Sequence, residues 1–247
     1  MSRLRQTLLA AAVAPLALAL AACGGSDEEG TASGEPIAPI AAPSGQSWVQ
    51  TAAVTPEGGN VVGNPDAPIK LVEYASHTCG ACAAFSQESV AEIEKYIESG
   101  VVSYEIRNQI HNPIDLTLAM LVRCGDPAAF HPLANQVWAQ LPAVMERAQQ
   151  DPAALQAAMQ APEAQRFQQI GQVTGLLDFF AARGVSRDQA MQCLANTDQA
   201  QQIATNSNTQ SEELNVTGTP TFFLNGRMLT ETGWEDVEAA LQAAGAR

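Results

Sequence analysis

Positive charge is scarce in this 247-residue chain: 12 Lys and Arg stand against 26 Asp and Glu, for a formal net charge of −14. No Lys/Arg cluster appears in the body of the sequence. Nucleic-acid binding, and attachment to anionic lipid through a basic patch, both need clustered cations, so neither is expected. Histidine is scarcer still, with three residues, none at a paired-ligand spacing with Cys124 or Cys193. No internal repeat is evident. Apolar runs long enough to cross a membrane are also missing. The stretch "TLLAAAVAPLALALAA" (7–22) has 16 uncharged residues, against the roughly 20 that a spanning helix needs.

That run follows "MSRLRQ", whose two arginines form a basic n-region, and it closes on small residues. Residues 1–22 therefore read as a secretory signal peptide. The ending "LAAC" (Leu20–Cys23) resembles the lipobox of bacterial lipoproteins. The resemblance implies Cys23 as the lipidated first residue of the mature chain. Residues 23–47 are rich in Gly, Ser, Ala, Pro and acids. They offer too little apolar surface to offset the entropy of ordering them, and read as a flexible linker behind the lipidated terminus. Export places the remaining four cysteines, Cys79, Cys82, Cys124 and Cys193, where disulfides form and persist.

The ordered part is expected from Trp48, with "WVQTAAV" as a first strand and "GNPDAP" as a turn. "IKLVEYAS" (69–76) is apolar on both faces, the pattern of a buried parallel strand. Cys82, Phe85, Val90, Ile93 and Ile97 recur at a helical period, with Thr78 as N-cap and Gly100 as terminator. "VVSYEIRNQI" (101–110) is a second strand, so residues 48–111 hold a βαβ unit of right-handed parallel type. Over 112–214, Ala, Gln, Leu and Met dominate and strand signals vanish, which predicts a block of helices; Ser186 and Gln189 have capping-box spacing within it. Residues 215–247 restore β-character. "TFFLN" and "RMLT" flank Asn225-Gly226, a type I′ hairpin signal, and Thr232–Glu235 opens a terminal amphipathic helix.

Cys79-Gly80-Ala81-Cys82 falls where the strand gives way to the helix. Unpaired amide N–H groups and the positive end of the helix dipole favour an anion there, and a thiolate is one. An ordinary thiol titrates near ~8.5 and is only about 3% ionised at neutral pH, so a modest depression makes much of it reactive. Cys82 lies one turn further in and faces the core. The asymmetry makes Cys79 the group that attacks a substrate sulfur and Cys82 the one that resolves the mixed disulfide. A structural zinc site would require a second ligand pair, and Cys124 and Cys193 stand alone.

Two further signals surround the pair. Glu73 lies six residues before Cys79 inside a strand that otherwise reads as buried, so a raised pKa or a polar neighbour is expected. From there it can accept the proton of Cys82; the alternative is a carboxylate reaching solvent at a strand edge. In "GTPTFF", Pro220 directly precedes a strand. A cis Thr219–Pro220 bond would turn the chain and free the Thr219 backbone to pair with an extended peptide.

A CxxC after "VEYAS", an acid six residues upstream, a helical insertion, and "VTGTPTFFLNG" before a hairpin and a final helix together resemble the thioredoxin superfamily. More closely, residues 58–247 resemble the DsbA-like thiol:disulfide oxidoreductases of the bacterial envelope. The resemblance implies an α/β thioredoxin fold, βαβ plus ββα, split by an all-helical insertion. Its first half is 48–111, its insertion 112–214 and its second half 215–247. It implies Cys79 as nucleophile, Cys82 as resolving thiol, Glu73 as the buried acid, and Thr219-Pro220 as the cis-proline loop that binds substrate. It also implies exported cysteine-containing proteins as substrates and a membrane redox partner for recycling. No cofactor or metal is expected. The expected location is the bacterial periplasm, with a monomer held to the membrane only by its lipid anchor.

One departure from that family affects the direction of electron flow: the dipeptide is Gly-Ala and not the Pro-His of strongly oxidising members. A less oxidising couple is expected, leaving oxidase and isomerase or reductase both open. His77 reads as a solvent-facing loop residue, and His111 and His131 as turn residues. Cys124 and Cys193 read as a structural disulfide, the alternative being a second shuttle pair. The competing reading from another class is a copper- or thiol-binding module holding Cu(I) on the CxxC, with His77 as its one nearby soft ligand.

Overall fold

The computed structural model describes residues 34–247; the signal peptide and Cys23 lie outside the described residues. Among the described residues six strands form one sheet. They are β1 (Ala52–Val54), β2 (Asn60–Gly63), β3 (Ile69–Ala75), β4 (Val102–Asn108), β5 (Thr221–Leu224) and β6 (Arg227–Met228), in the order β1-β2-β4-β3-β5-β6. Strands β3 and β4 run parallel, from Ile69 opposite Val102 to Ala75 opposite Asn108. Helix α1 (Gly80–Glu98) makes the crossover between them, as expected of a βαβ unit. Strand β5 lies antiparallel on the other side of β3, with Glu73 opposite Phe222.

Side chains alternate across β3 with period two. Tyr74 packs with Val216, Phe223 and Val72 on one face, while Leu71 and Ala75 join the main core on the other. Glu73 has the parity of Leu71 and Ala75, so the strand delivers a carboxylate into the apolar side of the sheet. The β5–β6 turn is built on Asn225 (φ 49) and Gly226 (φ 80), the left-handed pair that a type I′ turn requires.

Eight helices stand between β4 and β5 among the described residues: α2 (Pro113–Val122), α3 (Phe130–Ala139), α4 (Leu141–Ala148), α5 (Pro152–Met159), α6 (Glu163–Val173), α7 (Leu176–Ala181), α8 (Arg187–Leu194) and α9 (Thr197–Glu213). A final helix, α10 (Trp234–Ala243), follows the hairpin. Trp138, Phe130, Phe180, Leu118 and Ile170 are essentially buried, so the helical layer has a core continuous with that of the sheet.

Several expectations need correction. Trp48–Gln50 is a short 3-10 turn, with the first strand starting at Ala52. Asn60–Gly63, which gave no strand signal, pairs antiparallel with β4. Residues 34–47, expected as part of a flexible linker, are tied to the domain although they form no helix or strand. Gly34 and Ile37 donate main-chain N–H bonds to the carbonyls of Ala243 and Gly245, and Ile40 donates to Ser99. Ile37 and Ala42 also pack against the core, and Trp48 Nε1 donates to the Ile40 carbonyl at 2.7 Å; composition could not reveal an attachment made with so few apolar side chains and so many backbone groups.

Candidate active site

Strand β3 ends at Ala75, and the connection to α1 is held from the helical layer. Trp138 Nε1 donates to the Ser76 carbonyl at 3.0 Å. The buried Asp115 carboxylate accepts the main-chain N–H of His77 at 2.8 Å and that of His111 at 2.9 Å. Asn112 caps α2 by accepting from Asp115 N, and its amide nitrogen donates to Thr78 Oγ1 at 3.0 Å. The loop before the CxxC is therefore bonded at successive residues.

That loop presents Cys79 as the N-cap of α1, with Sγ accepting the Cys82 N–H at 3.4 Å. Thr78, expected in that role, lies one residue earlier; sulfur takes the place of the hydroxyl or carboxylate oxygen usual at this position. Gly80 and Ala81 are exposed and Cys79 half-buried, whereas Cys82 is fully buried. The turn at Thr219–Pro220 is cis, and its Thr219 carbonyl lies 3.3 Å from Cys79 Sγ. The segment singled out 140 residues downstream is thus in contact with the exposed sulfur.

The two thiols are electrostatically opposite. Cys79 is pushed down to about 5, chiefly by a hydrogen bond from the Cys82 thiol, with further help from Thr219 and the N–H groups of Cys82 and Ala81, against an opposing effect of burial. Cys82 is pushed far up, by that same interaction with Cys79, by burial and by the nearby Glu73. At neutral pH the pair therefore holds one thiolate on Cys79 and one thiol on Cys82, hydrogen-bonded to each other.

Glu73 is completely buried, so the strand-edge alternative is excluded. Burial lifts its carboxyl to about 8, against the lowering effect of a hydrogen bond from Tyr104, with the Cys79 charge adding to the rise. Tyr104 Oη donates to Glu73 Oε2, and Oε1 has no partner. A carboxyl balanced near neutrality beside a buried thiol can take or return that thiol's proton.

His77 is not a solvent-facing residue. It is fully buried and stacked on Trp138 with ring centroids 5.4 Å apart. Its Nδ1 lies 3.3 Å from the Asn108 amide, and burial lowers it to about 3. His131 is likewise no turn residue; it sits inside α3, buried, with Nε2 donating to the Asn60 carbonyl at 2.9 Å. His111 is exposed in the loop before α2, its Nε2 3.4 Å from Thr219 Oγ1. Cys124, just after α2, is disulfide-bonded to Cys193 in α8, with Cα atoms 5.8 Å apart. Among the described residues no three His, Cys, Asp or Glu side chains gather as metal ligands. Sequence reasoning missed Tyr104, Asp115 and Trp138. Tyr104 carried a signal, since its period-two spacing from Ile106 puts it on the apolar face of β4.

A family model described as Thioredoxin matches residues 55–243. The chain belongs to the thioredoxin family. It is 28% identical to a candidate protein-disulfide oxidoreductase of Rickettsia conorii, over 74% of this chain and 59% of that protein. The chain thus spans about three-fifths of the length of that relative. Among solved structures, a protein-disulfide isomerase from Novosphingobium aromaticivorans superposes with TM-score 0.70 at 29% identity, covering 75% of this chain and 96% of that one. Wolbachia pipientis alpha-DsbA1 matches with TM-score 0.60 at 21% identity, covering 75% and 89%. The second likeness is one of fold: a DsbA-like thioredoxin fold with a helical insertion.

Proposed function

We propose that this protein is a thiol–disulfide oxidoreductase acting on exported, cysteine-containing proteins through the Cys79–Cys82 couple. The observation that carries the reading is the position of the Cys79 sulfur, half-exposed at the start of α1 between the Cys82 N–H and the Thr219 carbonyl. In the reducing direction the Cys79 thiolate attacks a substrate disulfide and forms a mixed disulfide. Glu73 then accepts the Cys82 proton, and Cys82 attacks Cys79 Sγ, releasing the substrate thiolate. In the oxidising direction a substrate thiolate attacks Cys79 of the disulfide form, and Glu73 returns the proton to Cys82 as it leaves. The Thr219 backbone and the cis turn provide an edge on which an extended substrate segment pairs. Cys124–Cys193 serves as a structural bridge of the helical layer.

Cellular context belongs to the same proposal: the protein is secreted through residues 1–22, lipidated at Cys23, and held in the periplasm as a monomer whose couple is recycled by a membrane redox partner. Among the described residues no helix is long and apolar enough to cross a membrane, in keeping with attachment through lipid. The stabilised Cys79 thiolate favours the reduced form, while the Gly-Ala dipeptide, without an imidazole, keeps the couple less oxidising than that of the Pro-His members, so the cycle is written in both directions. The copper-binding alternative loses its nearby ligand, because the His77 ring is stacked within the core.

Trapping tests the reading. Cys82→Ala should accumulate mixed disulfides with exported proteins through Cys79, and the unsubstituted protein should catalyse RNase reoxidation or insulin reduction. Stoichiometric Cu(I) retention without turnover in either assay would contradict it.

A further inference from the structure

The dipeptide between the cysteines carries no imidazole, yet one stands beside the couple on another loop. His111 is exposed, and its Nε2 lies 3.4 Å from Thr219 Oγ1. The same Thr219 holds its carbonyl 3.3 Å from Cys79 Sγ. Two links tie the loop that carries His111 to the loop that carries Cys79. The main-chain N–H of His111 donates to Asp115 Oδ2 at 2.9 Å, while Asp115 Oδ1 takes the main-chain N–H of His77 at 2.8 Å. One residue on, the Asn112 amide donates to Thr78 Oγ1 at 3.0 Å. Asp115 is completely buried, so water does not compete for the first link. The backbone of an exposed histidine is thereby fixed relative to the Cys79 loop.

The Thr219 hydroxyl has one proton to donate and two lone pairs that accept. Two groups compete for that proton: the imidazole Nε2 and the Cys79 sulfur. A thiolate is the stronger acceptor, since hydrogen bonds to a charged group are roughly twice as strong as those between neutral groups. The titration of Cys79 agrees. After the Cys82 thiol, and against burial, a hydrogen bond from the Thr219 side chain holds it low. With its proton committed to sulfur, the hydroxyl can only accept from His111, which makes the imidazole an Nε2–H donor.

We propose, on the disulfide-exchange reading, that His111 is a positioning residue for the couple: its Nε2–H donates to Thr219 Oγ1 and so turns the Thr219 hydroxyl proton towards the Cys79 thiolate. The imidazole reaches the sulfur through one hydroxyl, and Thr219 stays neutral throughout. Because the sulfur is charged only in the reduced form, the contact stabilises that form. Its effect falls on the ionisation of Cys79 and on the potential of the couple, and the resolving step by Cys82 and Glu73 does not pass through it.

The test is a double-substitution cycle on the reduced protein, read as the pH midpoint of the Cys79 thiolate absorbance, each variant against its Cys79→Ser counterpart. His111→Ala should lower the ionisation constant roughly fivefold, an upward shift of about 0.7 pH units and the scale of one net hydrogen bond. Thr219→Val, which keeps the shape and removes the hydroxyl, should raise the midpoint by at least as much. Adding His111→Ala to Thr219→Val should then move it by less than about 0.2 units, because substitutions along one chain of contacts do not add. His111→Gln, whose amide still donates to the hydroxyl, should recover most of the loss. A His111→Ala midpoint equal to the parent's would overturn the proposal. An equal rise from His111→Ala in both backgrounds would overturn it too, since the imidazole would then act on the sulfur without Thr219. The titration needs no turnover. A parent that holds the thiolate yet exchanges no disulfides overturns the exchange reading, while the four midpoints still decide the role of His111.

Discussion

Two cysteine pairs lie in different parts of this molecule, and they differ in nearly every physical respect. Cys79 and Cys82 stand one helical turn apart at the start of α1, one half-exposed and one buried. Cys124 and Cys193 are separated by 69 positions and join the end of α2 to α8 inside the helical layer. The first pair shares a helix N-terminus, where the N–H groups of Cys82 and Ala81 and the Thr219 turn act on the Cys79 sulfur while burial and Glu73 oppose a charge on Cys82. The second pair closes a long loop, and its main effect is to restrict the unfolded chain. The difference teaches that a cysteine pair becomes reactive through inequality between its members. Cys79 is pushed down and Cys82 far up by the same mutual hydrogen bond, whereas Cys124 and Cys193 are joined in a disulfide and hold no titrating thiol.

The sharpest way to break the comparison is to remove the exposed sulfur. Cys79→Ser should abolish turnover in an insulin-reduction assay, a loss of roughly 10³-fold or more, while thermal unfolding stays near that of the reduced parent. The converse experiment acts on the other pair. Replacing both Cys124 and Cys193 with Ala should cost about 4 kcal/mol by denaturant unfolding, the chain-entropy value for so long a loop. The turnover of what remains folded should hold within about twofold.

Glu73→Gln tests the asymmetry from beneath. On the proposed cycle, resolution by Cys82 should slow by roughly 10²-fold because the variant lacks the proton acceptor, while alkylation of Cys79 should change little. Stability should move the other way. Glu73 is raised from 4.5 to about 8, so its ionisation is disfavoured by folding. That cost is absent below pH 4.5 and grows as pH rises towards 8. The variant should therefore gain stability over the parent between pH 5 and pH 8, as urea titrations at the two pH values would show. The smallest effect is local: Ser186 caps α8 by accepting the Gln189 N–H, so Ser186→Ala should cost about 1 kcal/mol. It should leave the Cys79 titration unmoved.

Legibility in the sequence followed the same division. The Cys79–Cys82 pair and its surroundings were readable because their signals are local: a CxxC at a strand-to-helix junction, an acid at an in-facing strand position, and a proline opening a strand. Even there the N-cap was misplaced by one residue, since Thr78 looks like a cap and a thiol does not. What sequence did not reveal is what the helical layer contributes to the site. Asp115, Trp138 and Asn112 fix residues 76–78 from positions 34 to 62 residues away, and no short-range pattern encodes such contacts. His77 shows this most clearly. Two residues before a surface cysteine it looks exposed, but the layer of α2 and α3 closes over it. Strand β2 was missed for a related reason: "NVVG" is too short for a period to emerge, and its pairing with β4 is tertiary.

The decisive quantity is the ionisation of one sulfur. The absorbance of the reduced protein near 240 nm, followed against pH with Cys124–Cys193 intact and Cys79→Ser as the blank, reports it directly. One thiolate should appear with a midpoint near 5 and vanish from the blank. A midpoint at or above the ordinary thiol value of ~8.5 would contradict the inequality on which the proposed chemistry depends.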